Sequence, residues 1–403
     1  MVEGNRRTEG SADAIGAGLP QDGDAQTPEE AAILAAARQV CETALGPNAE
    51  ATDRGVGPNR ANFEALAERG LLGLAIPKAY GGLDANGATQ RKFTQLLASY
   101  CGVTTFTQAQ HHGPSRMVAN GLNEELKRRL LPDLASGKRM SGISFAHLRR
   151  PGPPVLRAEP VEGGGWRLQG TAPWVTGWGL ISQVAFGATL PDGRFLYVWS
   201  PTKRDEFPDL FECIDPPAGN WGSLVASPPL ALCAMNASAT VELTLTDWFI
   251  PAAHKLSESD RETMQRNDRN GVLGATAMPL GCAAAAIRVL GRTAEMRPIP
   301  AIQKAEQAFL REWEEVEAQM EEWNGRNADP DFFANAVRLR AWCIELAVRT
   351  AHAAVTASSG AANLLSHPAQ RLLREAMFYT VQAQTHEVMD ATLARLERAG
   401  SSG

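Results

Sequence analysis

The chain has 403 residues, of which 44% are hydrophobic and 21% are charged, and its formal net charge is −6. This length predicts two or three domains with a sizeable core, and the acidic balance disfavours nucleic acid and anionic membranes as partners. Six scattered cysteines without a Cys-x-x-Cys pair predict reduced, buried thiols in a cytoplasmic protein, and they offer no metal site.

Residues 1–26 are rich in Gly, Ala, Asp and Arg and contain no apolar run. This composition predicts a disordered leader rather than a signal peptide. No stretch of the chain approaches the run of about 18 apolar residues that a membrane span needs. Order is expected to begin at Thr27, which can cap a helix whose first turn contains Pro28 and Glu30.

Residues 27–138 are predicted to form a helical domain that ends at Ser136-Gly137. Its helices are expected at 28 to about 45, Ala61–Arg69, Thr89–Tyr100, Gly113–Asn120 and near Glu124–Leu134. Gly70 is expected to end the second of these helices, because glycine readily adopts the left-handed conformation that follows a helix.

Residues 139–252 are predicted to form a small antiparallel β-domain, because β-branched and aromatic residues occur there with Pro and Gly at short intervals. Pro191-Asp192-Gly193 separates two apolar runs, Val184–Leu190 and Phe195–Trp199, which predicts a hairpin. An alternating strand at Val241–Leu245 is expected to be the last one, with Ile250-Pro251 closing the domain.

Residues 253–403 are predicted to return to helices and to form a bundle. These helices are expected at Gly271–Leu290, Ala305–Trp323, Phe332–Ser358 and Pro368–Ala399. The first is rich in Ala, and its small residues suit close packing against another helix, including one from a second subunit. The chain is therefore predicted to be mainly α with a central antiparallel β-domain.

This order of helices, strands and helices resembles the acyl-CoA dehydrogenase family over about residues 28–399. The local matches are the P-x-x-Y-G-G turn in Ala75–Gly82, a helix and the turn that follows it at Gly121–Gly137, and the flavin strand at Gly165–Gly177. A fourth match is the C-terminal motif in Ser359–Ala376, which contains Gly360, Pro368 and Arg374-Glu375-Ala376. The resemblance implies the acyl-CoA dehydrogenase-like fold, with a helical domain, a β-barrel-like domain and a four-helix bundle. It also implies a flavin cofactor, with FAD expected and FMN as the alternative.

The resemblance assigns flavin contacts to several residues. In the family, the flavin strand ends in Trp-x-Thr; the Trp covers the edge of the isoalloxazine ring and the Thr hydroxyl bonds to N5. These roles would fall to Trp174 and Thr176. Ser144 and Thr385 match two further flavin-contacting threonines, and Gly360 lies in the C-terminal motif.

Arg297 and Gln307 match an Arg and a Gln that reach the FAD of a neighbouring subunit. A guanidinium suits a pyrophosphate because it is planar, always charged and able to bond bidentately. The resemblance therefore implies a homodimer or homotetramer. Two departures bear on FAD and acyl-CoA binding: Pro300-Ala301 replaces a Phe-Gly pair, and His147–Gly152 replaces an acidic, Gly-rich loop.

The carboxylate that the family uses for catalysis is missing. A Glu of the family removes the α-proton of an acyl thioester while flavin N5 takes the β-hydride. Ala383 holds that position within Gln382–Thr385, and the family's alternative position falls on Gly271, with Asp268 and Asn270 nearby. Neither a methyl group nor a hydrogen can accept a proton.

Four residues are candidate replacements for this base: Glu375, His386, Glu387 and His111. On a continuous terminal helix, His386 would lie three residues from Ala383 on a neighbouring face. His111 follows Gln110, and both align with residues that face the flavin pocket. Each histidine also has a structural interpretation, as a surface or packing residue.

Three functions remain open. The first is an FAD-dependent oxidoreductase that acts on the CH–CH group of an acyl thioester with a displaced base. The second is a reduced-flavin-dependent monooxygenase of the same fold, a branch that lacks the Glu and for which Ser144, His111 and His386 are suitable pocket groups. The third is a non-catalytic binding protein. The expected partners are a small-molecule or acyl-thioester substrate and a flavin reductase or electron-transfer flavoprotein.

Overall fold

The computed structural model describes residues 27–203 and 219–399. The predicted leader, residues 1–26, and Cys213 lie outside these ranges. Helices occupy most of the described chain, and the strands of an 8-stranded sheet lie between Ser141 and Ser259. The predicted fold class, mainly helical with a central β-region, is confirmed.

The helices that precede the sheet are α1 (Pro28–Val40), α2 (Gly46–Asp53), α3 (Arg60–Glu68), α4 (Gly87–Ala98), α5 (Gly102–Asn120) and α6 (Glu124–Ala135). The strands are β1 (Ser141–Ser144), β2 (Leu156–Pro160), β3 (Trp166–Val175), β4 (Gln183–Thr189), β5 (Phe195–Pro201), β6 (Ser223–Ala226), β7 (Val241–Ile250) and β8 (Lys255–Ser259). The helices that follow are α7 (Arg261–Gly271), α8 (Ala277–Met296), α9 (Pro300–Trp323), α10 (Phe332–Ser358), α11 (Pro368–Val381) and α12 (His386–Ala399).

The first helix begins where the sequence predicts it. Thr27 has an extended backbone, and its hydroxyl oxygen accepts a hydrogen bond from the Glu30 amide at 3.2 Å. The same hydroxyl donates to the Glu30 carboxylate at 3.3 Å. This cap satisfies one of the amide groups that the first helical turn leaves without an intrahelical partner. After α1, the helical path continues through a π-helical segment, Cys41–Leu45, into α2.

The eight strands form one sheet in the order β6-β7-β3-β2-β4-β5-β8, and β1 pairs with β4 off this path. Strands β4 and β5 form the predicted hairpin, in which Gln183 lies opposite Pro201 and Thr189 opposite Phe195. Strands β1 and β2 each pair with β4 in parallel. The sheet is therefore mixed rather than purely antiparallel as predicted. The sequence did not reveal this, because an alternating pattern does not distinguish parallel from antiparallel neighbours.

The described chain divides into two compact units, and each is built from separate segments of the sequence. One unit contains residues 27–41, 91–102 and 270–399, and we call it the helical unit. The other contains residues 42–90, 103–203 and 219–269, and we call it the sheet unit. Helices from the N-terminal third of the chain thus share a unit with the whole β-sheet.

The core of the sheet unit lies between the sheet and α6. Ala185 of β4 and Trp199 of β5 are fully buried against a row of leucines on α6. That row consists of Leu126, Leu130, Leu131 and Leu134. Because these leucines recur at helical spacing, one face of α6 covers the sheet and fixes the position of β1, which follows it in the chain.

In the helical unit, α8 packs against α9, α10 and α11, and α12 packs against α10. The small residues of α8 allow this close packing: a Cβ at Gly281 would lie only 2.3 Å from the Gln95 carbonyl oxygen on α4. Fifteen of the 20 residues of α8 are buried within its own chain. The prediction that this helix could offer a packing face to a second subunit is therefore wrong, because its small residues already serve contacts inside the unit.

One helix in the described ranges, Gly274–Met296, is long and apolar enough to cross a membrane by length and composition. However, 78% of its most apolar window is buried inside the chain. That burial is typical of the core helix of a soluble protein, because a membrane span would expose its apolar side chains to lipid.

Four details of the sequence prediction are corrected by the structure. Helix α5 begins at Gly102 and carries Pro114 inside it, because burial of its first turns outweighs the Gly-Pro signal for a boundary. Strand β8 lies beyond Pro251, in the segment predicted to be helical. The predicted single C-terminal helix is two helices, α11 and α12. Among the described cysteines, Cys233 is exposed rather than buried.

The two glycines of the P-x-x-Y-G-G turn have different structural reasons. Gly81 adopts a left-handed backbone (φ +82°), and a Cβ there would meet no atom within 4 Å. A Cβ at Gly82 would lie 2.0 Å from the backbone oxygen of Ile76. The chain therefore turns back on itself so closely at Gly82 that no side chain fits.

Replacement of Gly82 by alanine is expected to lower the free energy of unfolding by roughly 3 kcal/mol or more, because backbone atoms must move apart. Gly81→Ala should cost only about 1–2 kcal/mol, the penalty of a left-handed alanine. Gly87→Ala is the control, because a Cβ at Gly87 meets nothing within 4 Å and its φ is not positive. Equal denaturation midpoints for Gly82→Ala and Gly87→Ala would contradict this explanation of the turn.

Candidate functional site

The end of strand β3 carries residues predicted to hold a flavin. Trp174 has a left-handed backbone (φ +60°) and is 47% exposed. A left-handed non-glycine residue costs about 1–2 kcal/mol, and such residues concentrate at functional sites. Ser144, at the end of β1, is buried, and its hydroxyl donates to the Pro173 carbonyl oxygen at 3.1 Å. The Ser144 hydroxyl of β1 therefore contacts β3 at the residue next to Trp174, although β1 and β3 are not paired in the sheet.

Thr176 directly follows β3, and its hydroxyl belongs to a short chain of hydroxyl groups. The Thr176 and Thr240 hydroxyl oxygens lie 2.9 Å apart, and the Thr240 and Ser238 hydroxyl oxygens also lie 2.9 Å apart. We call these three residues the hydroxyl chain. Each is at most 2% exposed, so bulk water does not compete for these hydrogen bonds. The Gly177 amide donates to the Ser238 carbonyl oxygen at 2.8 Å, which anchors the same two segments through their backbones.

A further threonine, Thr107, packs close to Gly177, the residue that follows Thr176. Thr107, on α5, is buried, and its hydroxyl has no hydrogen-bond partner among the residues that the structure describes. A Cβ at Gly177 would lie 3.3 Å from the Thr107 methyl carbon, so glycine permits the close approach. A buried hydroxyl without a partner is costly and calls for an explanation. An exposed indole for a ring face, together with several hydroxyls for ring heteroatoms, fits a flavin.

His111, a predicted catalytic residue, is fully buried on α5. Its Nε2 donates to the Leu134 carbonyl oxygen at 3.1 Å, and its Nδ1 accepts the Ser141 amide at 3.2 Å. Burial lowers the pKa of His111 to about 4 and that of the adjacent His112 to about 3. His111 therefore connects α5, α6 and β1 as a neutral ring. Both of its nitrogens are engaged in these structural bonds, and neither is exposed to a substrate.

The basic segment after β1 contains Arg149, which pairs with Asp268, the carboxylate three residues before Gly271 in the sequence. Arg149 Nε donates to Asp268 Oδ2 at 2.7 Å and Arg149 Nη2 donates to Asp268 Oδ1 at 2.5 Å. His147, in the same loop, donates through Nε2 to the Gly187 carbonyl oxygen at 2.9 Å, and burial lowers its pKa. A bidentate guanidinium stabilises the charged form of a carboxylate and holds it in place. Asp268 therefore has a structural partner that competes with any role as a base.

In the helical unit, the turn at the family's base position is held by a buried arginine. Arg340 of α10 is 1% exposed, and its Nη2 donates to the Gln382 carbonyl oxygen at 2.7 Å and to Gln382 Oε1 at 3.2 Å. Burial lowers the pKa of Arg340 to about 10. Ala383, the next residue, is exposed and has a left-handed backbone (φ +50°). Because this turn interrupts the helix, the predicted helical spacing between Ala383 and His386 does not exist.

The remaining predicted site residues lie on the surface of the helical unit. Thr385 caps α12, with its hydroxyl oxygen accepting the Val388 amide at 3.4 Å. Arg297 follows α8, and its Nη1 donates to the Ala357 carbonyl oxygen at 3.2 Å. The exposed residues of this set are His386 and Glu387 at the start of α12, Arg297, Gln307 on α9 and Gly360 in the 3₁₀ segment Ser359–Asn363.

Comparison with known proteins identifies the fold. Residues 27–138 match the family model described as acyl-CoA dehydrogenase, N-terminal domain. The probable acyl-CoA dehydrogenase YngJ of Bacillus subtilis (strain 168) is 21% identical over 385 residues, which cover 92% of this chain and 98% of that protein. Butyryl-CoA dehydrogenase from Megasphaera elsdenii has a TM-score of 0.76 at 17% identity, over 92% of this chain and 99% of that one. Dibenzothiophene monooxygenase from Paenibacillus sp. A11-2 has a TM-score of 0.74 at 15% identity, over 89% of this chain and 95% of that one.

The chain is an acyl-CoA dehydrogenase-like protein. Its fold is that of a class of flavin oxidoreductases, and a flavin is the cofactor that this fold supports. The same fold accommodates dehydrogenases and a monooxygenase, so the fold alone does not select between these reactions.

In this acyl-CoA dehydrogenase-like protein, sequence reasoning missed Thr240, Ser238, Thr107 and Arg340. The signal for the first two was present, because Ser238-Ala239-Thr240 directly precedes the alternating strand that begins at Val241. Their role depends on the pairing of β7 with β3, which the pattern of one strand does not reveal. Arg340 lies within a correctly predicted helix, but its contact with Gln382 joins residues far apart in the sequence.

His111 should make the stability of the protein depend on acidic pH. Because its folded pKa of about 4 lies below the ordinary histidine value of 6.5, the unfolded state binds the proton first as pH falls through this window. The stability contributed by neutral His111 is complete above pH 6.5 and is lost toward pH 4, by roughly 3 kcal/mol. His111→Gln should flatten the unfolding free energy against pH, whereas His352→Gln, at an exposed position, should not. Parallel pH curves for His111→Gln and the unmodified protein would contradict this account.

Proposed function

We propose that the chain is an FAD-dependent oxidoreductase whose reaction does not begin with removal of a proton by the family's carboxylate. The observation that carries this proposal is the loss of that group at both family positions. Ala383 and Gly271 stand there, and Asp268, the nearby carboxylate, is paired bidentately with Arg149. The reaction that suits such a site is insertion of one oxygen atom of O2 into a small organic substrate, with reduced flavin supplying two electrons and the second oxygen atom leaving as water.

The residues that would hold the flavin are present even though the family's base is missing. Trp174 would cover the ring edge, and the hydroxyls of Thr176 and Ser144 would bond to its heteroatoms. When bound, the flavin supplies hydride or oxygen chemistry that no side chain provides. The protein's own groups would bind it, orient it and exclude water, as the burial of both hydroxyls favours.

The monooxygenase proposal also fits the comparisons. Dibenzothiophene monooxygenase shares the fold over nearly its whole length, so this architecture accommodates oxygen insertion. A partner that delivers reduced flavin, a flavin reductase, would then be required. His111 is excluded as a polar group of the substrate pocket by its burial and its two structural hydrogen bonds.

The second candidate is desaturation of an acyl thioester with a displaced base. The likeness to the probable acyl-CoA dehydrogenase of Bacillus subtilis extends over almost the whole chain. His386 and Glu387 are exposed in the first turn of α12, directly after the turn that contains Ala383. One of them would act as the base, and an electron-transfer flavoprotein would accept the electrons.

An anaerobic reduction experiment separates these candidates. The FAD-loaded protein is mixed with straight-chain acyl-CoAs of several lengths, and bleaching of the flavin absorbance is followed. Because a general base contributes about 10²–10⁴ in rate, the unmodified protein should bleach only at a trace rate. Ala383→Glu should bleach faster than Ala383→Gln, since the two variants have side chains of similar size and share the left-handed backbone, but only one can accept a proton.

Rapid bleaching by the unmodified protein would contradict the proposal and favour a displaced base. In that case, His386→Gln or Glu387→Gln would abolish the bleaching. Oxygen consumption that depends on both reduced flavin and an added substrate would support the monooxygenase. Protein that takes up flavin but shows neither behaviour would favour a non-catalytic binding role.

We also propose that the protein assembles as a homodimer or homotetramer. Helices α11 and α12 each expose a pair of large apolar residues at helical spacing, and such residues favour burial against a partner. The pairs are Met377 with Val381 and Leu393 with Leu396. The exposed Arg297 and Gln307 would then be available to reach the FAD of the second subunit.

The double variant Leu393→Glu/Leu396→Glu should shift the protein toward monomer, because each buried leucine contributes about 1.5–3 kcal/mol to a contact and a buried carboxylate opposes it. Light scattering after size-exclusion chromatography measures this shift. Val56→Glu is the control, because Val56 is also an exposed apolar residue and lies in the sheet unit. A monomeric unmodified protein at micromolar concentration would contradict the assembly.

A further inference from the structure

Helix α10 carries a guanidinium group inside the helical unit. Arg340 is 1% exposed, and its Nη2 donates both to the carbonyl oxygen and to the side-chain oxygen of Gln382. Its Nε and Nη1 have no hydrogen-bond partner among the residues that the structure describes. A buried charge without a counter-charge is costly, and buried charges in proteins are normally paired. The charge of Arg340 therefore needs a partner that Gln382, a neutral side chain, does not supply.

The carboxylates of the two helices that hold Arg340 are paired with other arginines. Helix α10 contains one acidic residue, Glu345, whose Oε2 accepts from Arg395 Nε at 2.5 Å. Helix α11 contains one acidic residue, Glu375, whose Oε1 accepts from Arg371 Nη1 at 2.8 Å. Both carboxylates thus already balance a guanidinium group of their own.

Within the described part of the chain, the titratable groups that act on Arg340 are uncharged. These groups are the Cys343 thiol and the Tyr379 hydroxyl. Burial raises the pKa of Cys343 to about 12 and holds the pKa of Tyr379 well above its usual value, so both groups are neutral near pH 7. Arg340 remains charged at that pH, because its pKa is about 10. A positive charge therefore lies inside the helical unit without a negative side chain to balance it.

We propose that Arg340 binds a small monovalent anion, of the size of chloride or formate, beneath the turn Gln382–Thr385. Gln382 occupies only Nη2, and Nη1 has two further hydrogens to donate. Hydrogen bonds between a charged donor and an anion are among the strongest in proteins. One negative charge balances one guanidinium, and the near-complete burial of Arg340 favours a small ion. This site does not depend on the flavin binding proposed above.

The turn beside Arg340 offers a path for such an ion. Gln382 is half-buried, and the two residues that follow it, Ala383 and Gln384, are exposed, so the turn separates Arg340 from solvent on this side. Ala383 has a left-handed backbone (φ +50°), which persists only where surrounding contacts impose it. The bond from Arg340 to the Gln382 carbonyl oxygen is one such contact. An anion that fixes the guanidinium would therefore also stabilise the turn that joins α11 to α12.

Urea unfolding at constant ionic strength and one protein concentration tests this site. Chloride or formate replaces gluconate, an anion too large to enter, in the buffer of the unmodified full chain. The protein should become more stable as either small anion increases. Once the anion exceeds its dissociation constant, each tenfold rise should increase the ratio of folded to unfolded protein about tenfold, as one bound ion requires. The anion that acts at the lower concentration identifies the source, a halide from the solvent or a small carboxylate.

Arg340→Met should abolish this dependence, because the variant keeps a long unbranched side chain but removes the charge. Arg338→Met is the matched control, since Arg338 lies on the same helix but is exposed. The control should retain the full dependence on chloride and formate.

Equal anion dependence in Arg340→Met and the unmodified protein would overturn this inference. A stability of the unmodified protein that does not change with either anion would also overturn it, and would leave water as the partner of Arg340. If Arg340→Met does not fold, crystals of the unmodified protein grown in bromide provide the second test. An anomalous-scattering peak within hydrogen-bond distance of Arg340 Nη1 is expected, and a map without a peak there would overturn the site.

Discussion

The antiparallel pairing of β3 with β7 is the contact on which the candidate site depends. It places the end of β3, with Trp174 and Thr176, beside the start of β7, with Thr240. The register of this pairing is interrupted between Ala172 and Val175, where Trp174 adopts its left-handed backbone. A strand without that irregularity would keep the regular alternation of side chains across the two faces of the sheet. The irregularity therefore coincides with the exposed indole of Trp174. The pairing of β3 with β7 brings the Thr240 hydroxyl beside that of Thr176.

The sequence predicted elements whose signals are local. The cap at Thr27, the hairpin of β4 and β5, and helix α10 at Phe332–Ser358 were predicted correctly because each depends on neighbouring residues. The family resemblance then predicted the arrangement of helices around a central sheet. The break between α11 and α12 was missed, because no Gly or Pro marks it and the left-handed residue there is Ala383.

The candidate site was less predictable than the fold, because its chemistry depends on contacts between distant segments. His111 looked like a pocket residue, but its two nitrogens join Leu134 and Ser141. Asp268 looked like a nearby carboxylate, but Arg149 holds it. Burial and pairing of this kind decide whether a titratable group can act as a base, and neither quantity can be read from the spacing of residues. The residues that remain for flavin are mostly hydroxyls and one exposed indole, groups whose function does not require a change of charge.

Equilibrium titration of the purified chain with FAD, followed by visible absorbance, tests the central claim most directly. If the end of β3 is a flavin site even though the family's base is gone, FAD should bind saturably with a perturbed flavin spectrum. Trp174→Ala should lower the affinity about tenfold, since an aromatic contact contributes about 0.5–1.5 kcal/mol beyond the area it buries. A folded protein that takes up neither oxidised nor reduced flavin, or one whose affinity is unchanged by Trp174→Ala, would contradict this claim.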